Sequence, residues 1–312
     1  MQRRKNFILL ILFLILLGWT VVYINQEQKQ EGLSIDELKF SVKDTASIDQ
    51  IIITGNEFTN VLSKGSGYWK VNDTYSLDPS MHKVLMSVLN QVRVKRTVPK
   101  TDLQKISEDI LNSGFKIEIK SSSERDRVFY AGGNGISLSY FMGKDEVPYI
   151  VHLPGYESYV TGIFEVAEND WRDRLIFKTS WLGIKTLDLS YPGNASNNIS
   201  IRAENNLYTV AGITKLDTAS LMGFLDKISY FYTDQYIDAG QVEAYDSLKE
   251  TKPFAILIVN SLGMNEPAII KFYDQLPGDN VVMGVLQERQ MCLFSTSRLR
   301  PIFMRKEDLV AR

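Results

Sequence analysis

Residues 67–78 read GYWKVNDTYSLD, and residues 206–217 read NLYTVAGITKLD, 139 positions later. In each, alternating members of a strand, Trp69 and Val71 or Tyr208 and Val210, run up to a Leu-Asp pair that opens a helix. Asp78 is placed to accept an orphan amide as N-cap, and Pro79 suits the first helical position, where no donor is needed. Met81, Val84, Leu85, Val88, Leu89 and Val92 then fall on one helical stripe, the mark of an amphipathic helix. The same shift carries Leu77 to Leu216, Asp78 to Asp217, Leu85 to Phe224, Leu89 to Ile228, Val92 to Phe231 and Val98 to Ile237. The second helix has its own cap and its own stripe.

The register persists on both sides. A shorter helix beginning at Thr101 has Leu103 and Ile106 matched by Val242 and Tyr245, and it stops at Gly114 in one copy and before Pro253 in the other. FKIEI at Phe115 is matched to FAILI at Phe254, YFMG ending at Gly143 to VVMG ending at Gly284, and Ile163-Phe164 to Ile302-Phe303. Upstream, Ile48, Ile51 and Ile53 answer to Ile184, Leu187 and Leu189. The spacing predicts two tandem copies, 48–175 and 184–312, joined by a crossover at 176–183. Consecutive strands joined by short turns make each copy a mainly antiparallel sheet with helices on one face, so the expected class is α+β by tandem duplication.

Composition narrows the function classes. At 44% hydrophobic and 23% charged residues over 312 positions, the chain is long enough to bury substantial cores. A net charge of −2 offers no basic field for a polyanion, so nucleic acid is not an expected partner. The single cysteine, Cys292, sits in an apolar run and reads as a buried small hydrophobe. Residues 1–25 differ in kind: Arg3, Arg4 and Lys5 precede an uncharged, mostly apolar run from Phe7 to Ile24, and about 18 residues nearly span a bilayer. No small-x-small cleavage pattern follows. The expectation is a retained single-pass anchor in the cytoplasmic membrane, N-terminus cytoplasmic by the positive-inside rule, with a stalk and lead-in at 26–47 and a periplasmic ectodomain.

FSVKDTASIDQIII (Phe40 to Ile53), WKVN (Trp69 to Asn72), VPK (Val98 to Lys100), VHLPGYESYVTG (Val151 to Gly162) and DWRDRLIF (Asp170 to Phe177) occur in that order. Together they resemble the family known as domain of unknown function 4340, as found in membrane-anchored proteins of Bacteroidetes-type bacteria. The resemblance covers nearly all of the chain after the anchor. It implies no catalytic residue; what it implies is a place at the envelope, near export or gliding-associated ABC-transporter parts. Where the first copy has HLPGYESYVTGIF, the second has only LFSTSRLRPIF, without the Pro-Gly-Tyr or the second Tyr.

Residues that carry chemistry are sparse. His82 falls one position off its stripe and reads as solvent-facing; His152, before a turn, is the better base, yet no G-x-S-x-G motif accompanies it. Glu165, Glu168, Asp170 and Asp173 interleave with Arg172 and Arg174, and read as a solvated ion-pair segment with Trp171 anchoring the crossover. AGGNG at 131–135 lacks a following Lys-Ser/Thr and reads as a strand-to-strand turn. No metal site or cofactor is expected. Tyr230, Tyr232 and Tyr236 stand near strand ends in the second copy. The candidate partner-binding set is Tyr140, Phe141, His152, Pro154, Tyr156 and Tyr159, because duplicates diverge where one copy has a task. The open alternative is that Pro154 and Gly155 only turn the chain while the tyrosines fill space between the copies. The expected function is thus a non-catalytic, single-pass envelope protein whose ectodomain binds a partner in a membrane complex. A glycan hydrolase using the Asp170 region and a carbohydrate-binding module are the alternatives.

Overall fold

The structure, a computed structural model, describes residues 36–311 except 124, 157, 178, 205 and 206. The expected anchor at 1–25 lies outside the described residues; within them, no helix is long and apolar enough to cross a membrane. The protein is α+β, and two antiparallel sheets dominate it among the described residues.

The first sheet holds β1 (Ile48–Thr54), β2 (Thr59–Lys64), β3 (Trp69–Val71), β4 (Tyr75–Ser76), β5 (Arg93–Thr97), β6 (Phe115–Ser121), β7 (Arg127–Gly133), β8 (Ser139–Met142) and β9 (Pro148–His152). Helices α1 (Pro79–Gln91) and α2 (Leu103–Ser113) are interposed, and α3 (Glu168–Trp171) follows. The second sheet holds β10 (Ile184–Ser190), β11 (Ile199–Glu204), β12 (Leu207–Val210), β13 (Gln235–Ile237), β14 (Ala255–Ser261), β15 (Ala268–Phe272), β16 (Val281–Leu286) and β17 (Gln290–Ser295). Its helices are α4 (Thr218–Ser229), α5 (Glu243–Lys249) and α6 (Thr296–Leu299). The strand orders are β4-β3-β2-β1-β6-β7-β8-β9-β5 and β12-β11-β10-β14-β15-β16-β17-β13. Without β4 the two orders are the same, element for element.

Local detail repeats with the order. Asp78 Oδ1 accepts the amides of Ser80 and Met81 at 2.7 and 3.1 Å, and Asp217 Oδ1 those of Ala219 and Ser220 at 3.0 and 3.3 Å. Each cap is docked by its own amide, Asp78 onto the Trp171 carbonyl and Asp217 onto the Leu309 carbonyl. β1 and β10 share one burial alternation, with Ile48, Ile51, Ile53, Ile184, Leu187 and Leu189 all buried. The second sheet's core gathers Phe224, Phe231, Phe272 and Phe294 with the buried residues of β10. Gly284 is needed there, because a Cβ would stand 2.6 Å from the Phe294 ring. Cys292 is fully buried and its thiol donates to the Gly284 carbonyl at 3.5 Å. Desolvation pushes that thiol up to about 12.

Three sequence expectations need correction. Val84 is 49% exposed, since it stands about 100° around the helix from Leu85 and misses the buried face. Matching Phe115 to Phe254 sets the strand one residue out of phase, which exchanges its faces. The buried residues and ladders put Ile117, opposite Phe129, in the place of Leu257, opposite Ile270. Matching YFMG to VVMG is off by two: Phe141, opposite Ala131, takes the place of Gly284, opposite Phe272.

The chain packs as two compact units, and they are not the two sheets. Among the described residues, one takes those up to Ile48 with Ile53–Glu57 and Leu85–Glu165; the other takes Asp49–Ile52, Phe58–Val84 and those from Val166 on.

Candidate functional site

At the end of β9 the chain reverses over Leu153-Pro154-Gly155-Tyr156, with the Tyr156 amide donating to the Leu153 carbonyl at 3.1 Å. Pro154 presets the first corner, and Gly155, at φ +80°, takes the second, which an L side chain resists. The turn presents Tyr156 to solvent at 68% exposure. Facing it is the β7–β8 turn, where Asn134 Oδ1 accepts the amides of Ile136, Ser137 and Leu138 at 3.1, 2.9 and 2.9 Å. That clasp holds Ile136 out at 82% exposure and Leu138 at 40%. A groove of roughly 490 Å³ runs among Leu138, His152, Tyr156 and Lys95 of β5. All of these residues belong to the first compact unit.

The structure divides the six predicted residues. His152, Pro154 and Tyr156 stand at the groove or its turn; the His152 Nδ1 is buried without a hydrogen-bond partner. Tyr140 is half-buried and lines a different cavity of roughly 260 Å³, with Asp109 and Ser113 of α2. Phe141 is fully buried, its ring 4.9 Å from Phe129, 5.5 Å from Phe40 and 5.9 Å from Phe164. Neighbours on a strand point to opposite faces, so Tyr140 and Phe141 cannot share one surface. Tyr159 is held in place: its hydroxyl donates to Glu165 Oε1 at 2.5 Å, and its ring fills the space over Gly133, where a Cβ would stand 2.4 Å away. Burial first, then the Glu165 hydrogen bond and charge, push the Tyr159 phenol up to about 12. Phe141 and Tyr159 therefore leave the candidate surface. Lys95, Ile136 and Leu138 join it.

The sequence hid these three. In ISLS the apolar residues suggest the inward face, yet Ser139 is the buried one, its Oγ accepting the Thr161 amide at 3.0 Å.

His82 is half-buried instead of solvent-facing, its ring 4.8 Å from that of Trp69 and its Nε2 buried without a partner. Desolvation holds its pKa below the ordinary 6.5. Its neutral form therefore supports the fold: the contribution is complete above about pH 6.5 and is lost as pH falls through that value toward the depressed one. Thermal midpoints from about pH 7.5 down to about pH 5 should fall more steeply in the native protein than in His82→Gln. Parallel profiles would assign the acid sensitivity to other groups.

The acidic segment is only in part the solvated ion-pair run expected: Asp170 and Arg174 pair while exposed, but Arg172 does not join them at the surface. Arg172 is 5% exposed, its guanidinium carbon 3.6 Å from the Tyr75 ring centre and 3.8 Å from that of Tyr236. Its Nη1 donates to Asn169 Oδ1 at 3.0 Å and Gln290 Oε1 at 2.9 Å. Burial lowers its pKa, opposed by the two tyrosines, Glu168 and Asp238. The carboxylates go separate ways: Glu165 to Tyr159, Glu168 to Asn72, Asp170 to Arg174 at 3.7 Å, and Asp173 to the Leu175 amide. Trp171 is fully buried, its indole nitrogen donating to the Val166 carbonyl at 3.1 Å. Tyr236 is buried, while Tyr230 and Tyr232 are 68% and 42% exposed. Among the described residues no three His, Cys, Asp or Glu side chains converge to hold a metal ion. No family model, curated protein or solved structure matches the chain.

Proposed function

We propose that this is a non-catalytic, single-pass envelope protein, anchored in the cytoplasmic membrane by residues 1–25, whose periplasmic ectodomain binds another protein of a membrane complex. The ectodomain is read as a tandem duplication, which the shared strand order, paired caps and matched burial of β1 and β10 support. The resemblance to the domain of unknown function 4340 family suggests a transporter- or gliding-associated setting. One observation carries the binding reading: two built turns hold Leu138 and Tyr156 exposed at a groove, with Ile136 exposed beside it on the same turn as Leu138. The second sheet has no counterpart, because β17 runs directly into α6 where the first sheet makes its Pro-Gly turn.

Apolar anchors on rigid turns suit recognition because little ordering entropy is lost on docking. Copurification of the full-length protein from solubilised membranes, followed by mass spectrometry, tests this. The double variant Ile136→Ser, Tyr156→Ser should keep its unfolding free energy within about 0.5 kcal/mol, as surface changes do. It should lose partner binding by about tenfold or more, since truncated hot spots cost about 2 kcal/mol or more. A folded variant that retains every partner would sink the reading.

A further inference from the structure

We infer that the groove's occupant is a juxtamembrane segment of an integral membrane protein, and that residues 26–35 set the height at which it docks. This rests on the anchored reading just proposed. The observation behind it is where the chain reaches the first sheet. The Glu37 carbonyl accepts the Val94 amide at 3.0 Å, on β5, and the next residue of that strand, Lys95, lines the groove. The point of arrival from the membrane and the groove thus share one short strand.

From there the lead-in is fastened at every step. Arg127 Nη1 donates to the Ser41 carbonyl at 2.6 Å, the Val42 amide to the Leu89 carbonyl at 2.8 Å, and Asn90 Nδ2 to the carbonyls of Val42 and Lys43 at 3.0 and 3.2 Å. Lys39 pairs with Asp145, donates to the Tyr149 hydroxyl at 3.1 Å and lies 4.3 Å over the Tyr149 ring. Phe40, Ser41 and Val42 are buried. These contacts leave residues 36–43 no slack to extend, so the distance from the bilayer to β5 is governed by residues 26–35. Ten residues reach at most about 35 Å even fully extended. A groove held that close to the bilayer is matched to a segment that emerges from it. Leu138 and Tyr156 in the groove, with Ile136 exposed beside it, call for apolar side chains in that segment, and Lys95 for an acidic one.

Full-length protein carrying a photo-crosslinking residue at Ile136 or Tyr156 in native membranes tests this against two stalk insertions between Gly32 and Leu33. One is a thirty-residue Gly/Ser spacer, the other a thirty-residue (EAAAK) repeat. The expected product is a protein retained in the membrane after an alkaline carbonate wash. The flexible spacer lowers effective concentration with about the −3/2 power of length, so the yield should fall roughly eightfold. The stiff repeat, at about 1.5 Å per residue, raises the groove by about 45 Å and should abolish the product. A partner released by the wash, a product formed only with lipid, or yields indifferent to both spacers would overturn the inference while leaving the anchor intact. Release of the uncrosslinked protein itself by the wash would overturn the anchored reading, and this inference with it.

Discussion

Replacing Arg172 by alanine is expected to lower the unfolding free energy by about 3–5 kcal/mol, the cost of breaking a buried charged cluster by removing one member. Desolvated cation–π contacts are worth about 2 kcal/mol each, and here the guanidinium has one on each face, with Tyr75 and Tyr236. Its removal also strands Asn169 Oδ1 and Gln290 Oε1, the latter on a side chain whose amide nitrogen donates to the Ile237 carbonyl. These contributions overlap, so they do not add. The residues involved all belong to the second compact unit, and Tyr236 is further tied by its hydroxyl to the Asp173 carbonyl at 3.0 Å. Arg172→Lys keeps the charge but lacks the planar fork that stacks between rings, and should recover only part of the loss. Chemical denaturation of both variants decides it. A lysine variant as stable as the native protein would show that charge alone matters.

Phe231→Ala should cost a comparable 3–5 kcal/mol, for a different reason. Phe231 is 1% exposed and its ring lies 5.6 Å from Phe177 and 5.2 Å from Phe294, nearly parallel to both. Truncation leaves a void beside the Phe177 ring and the Phe294 ring, the latter seated closely over Gly284, and the surrounding sheet has little freedom to collapse into it. An unfolding free energy within about 0.5 kcal/mol of native would mean that the ring is not packed as described.

Much of the architecture was readable because its signals are local. A carboxylate one position before a helical stripe is a local cap signal, and Asp78 and Asp217 are both caps. Strand phase was harder. Two phenylalanines at the head of similar strings, Phe115 and Phe254, invite alignment, but only the buried alternation of Ile117 and Ile119 against Leu257 and Val259 sets the faces. At the candidate site, the Pro-Gly turn was legible from residue type. Its opposite wall was not, because the clasp by Asn134 that exposes Ile136 and Leu138 depends on three backbone amides. Tyr159 has a signal in retrospect: Gly133 is the space its ring occupies. Arg172 looked like one more surface charge, and nothing near it in sequence announces Tyr75 or Tyr236 on either face.

The burial of Cys292 makes its sulfur a clock. A thiol held protonated in the middle of β17, with no solvent on it, is inert to alkylating reagents for as long as the strand stays in place. Every labelling event must then wait for an opening that bares the strand. With dilute reagent the labelling rate follows the fraction of time the strand stands open, and each stabilising ligand or destabilising substitution can be read as a change in the ticking.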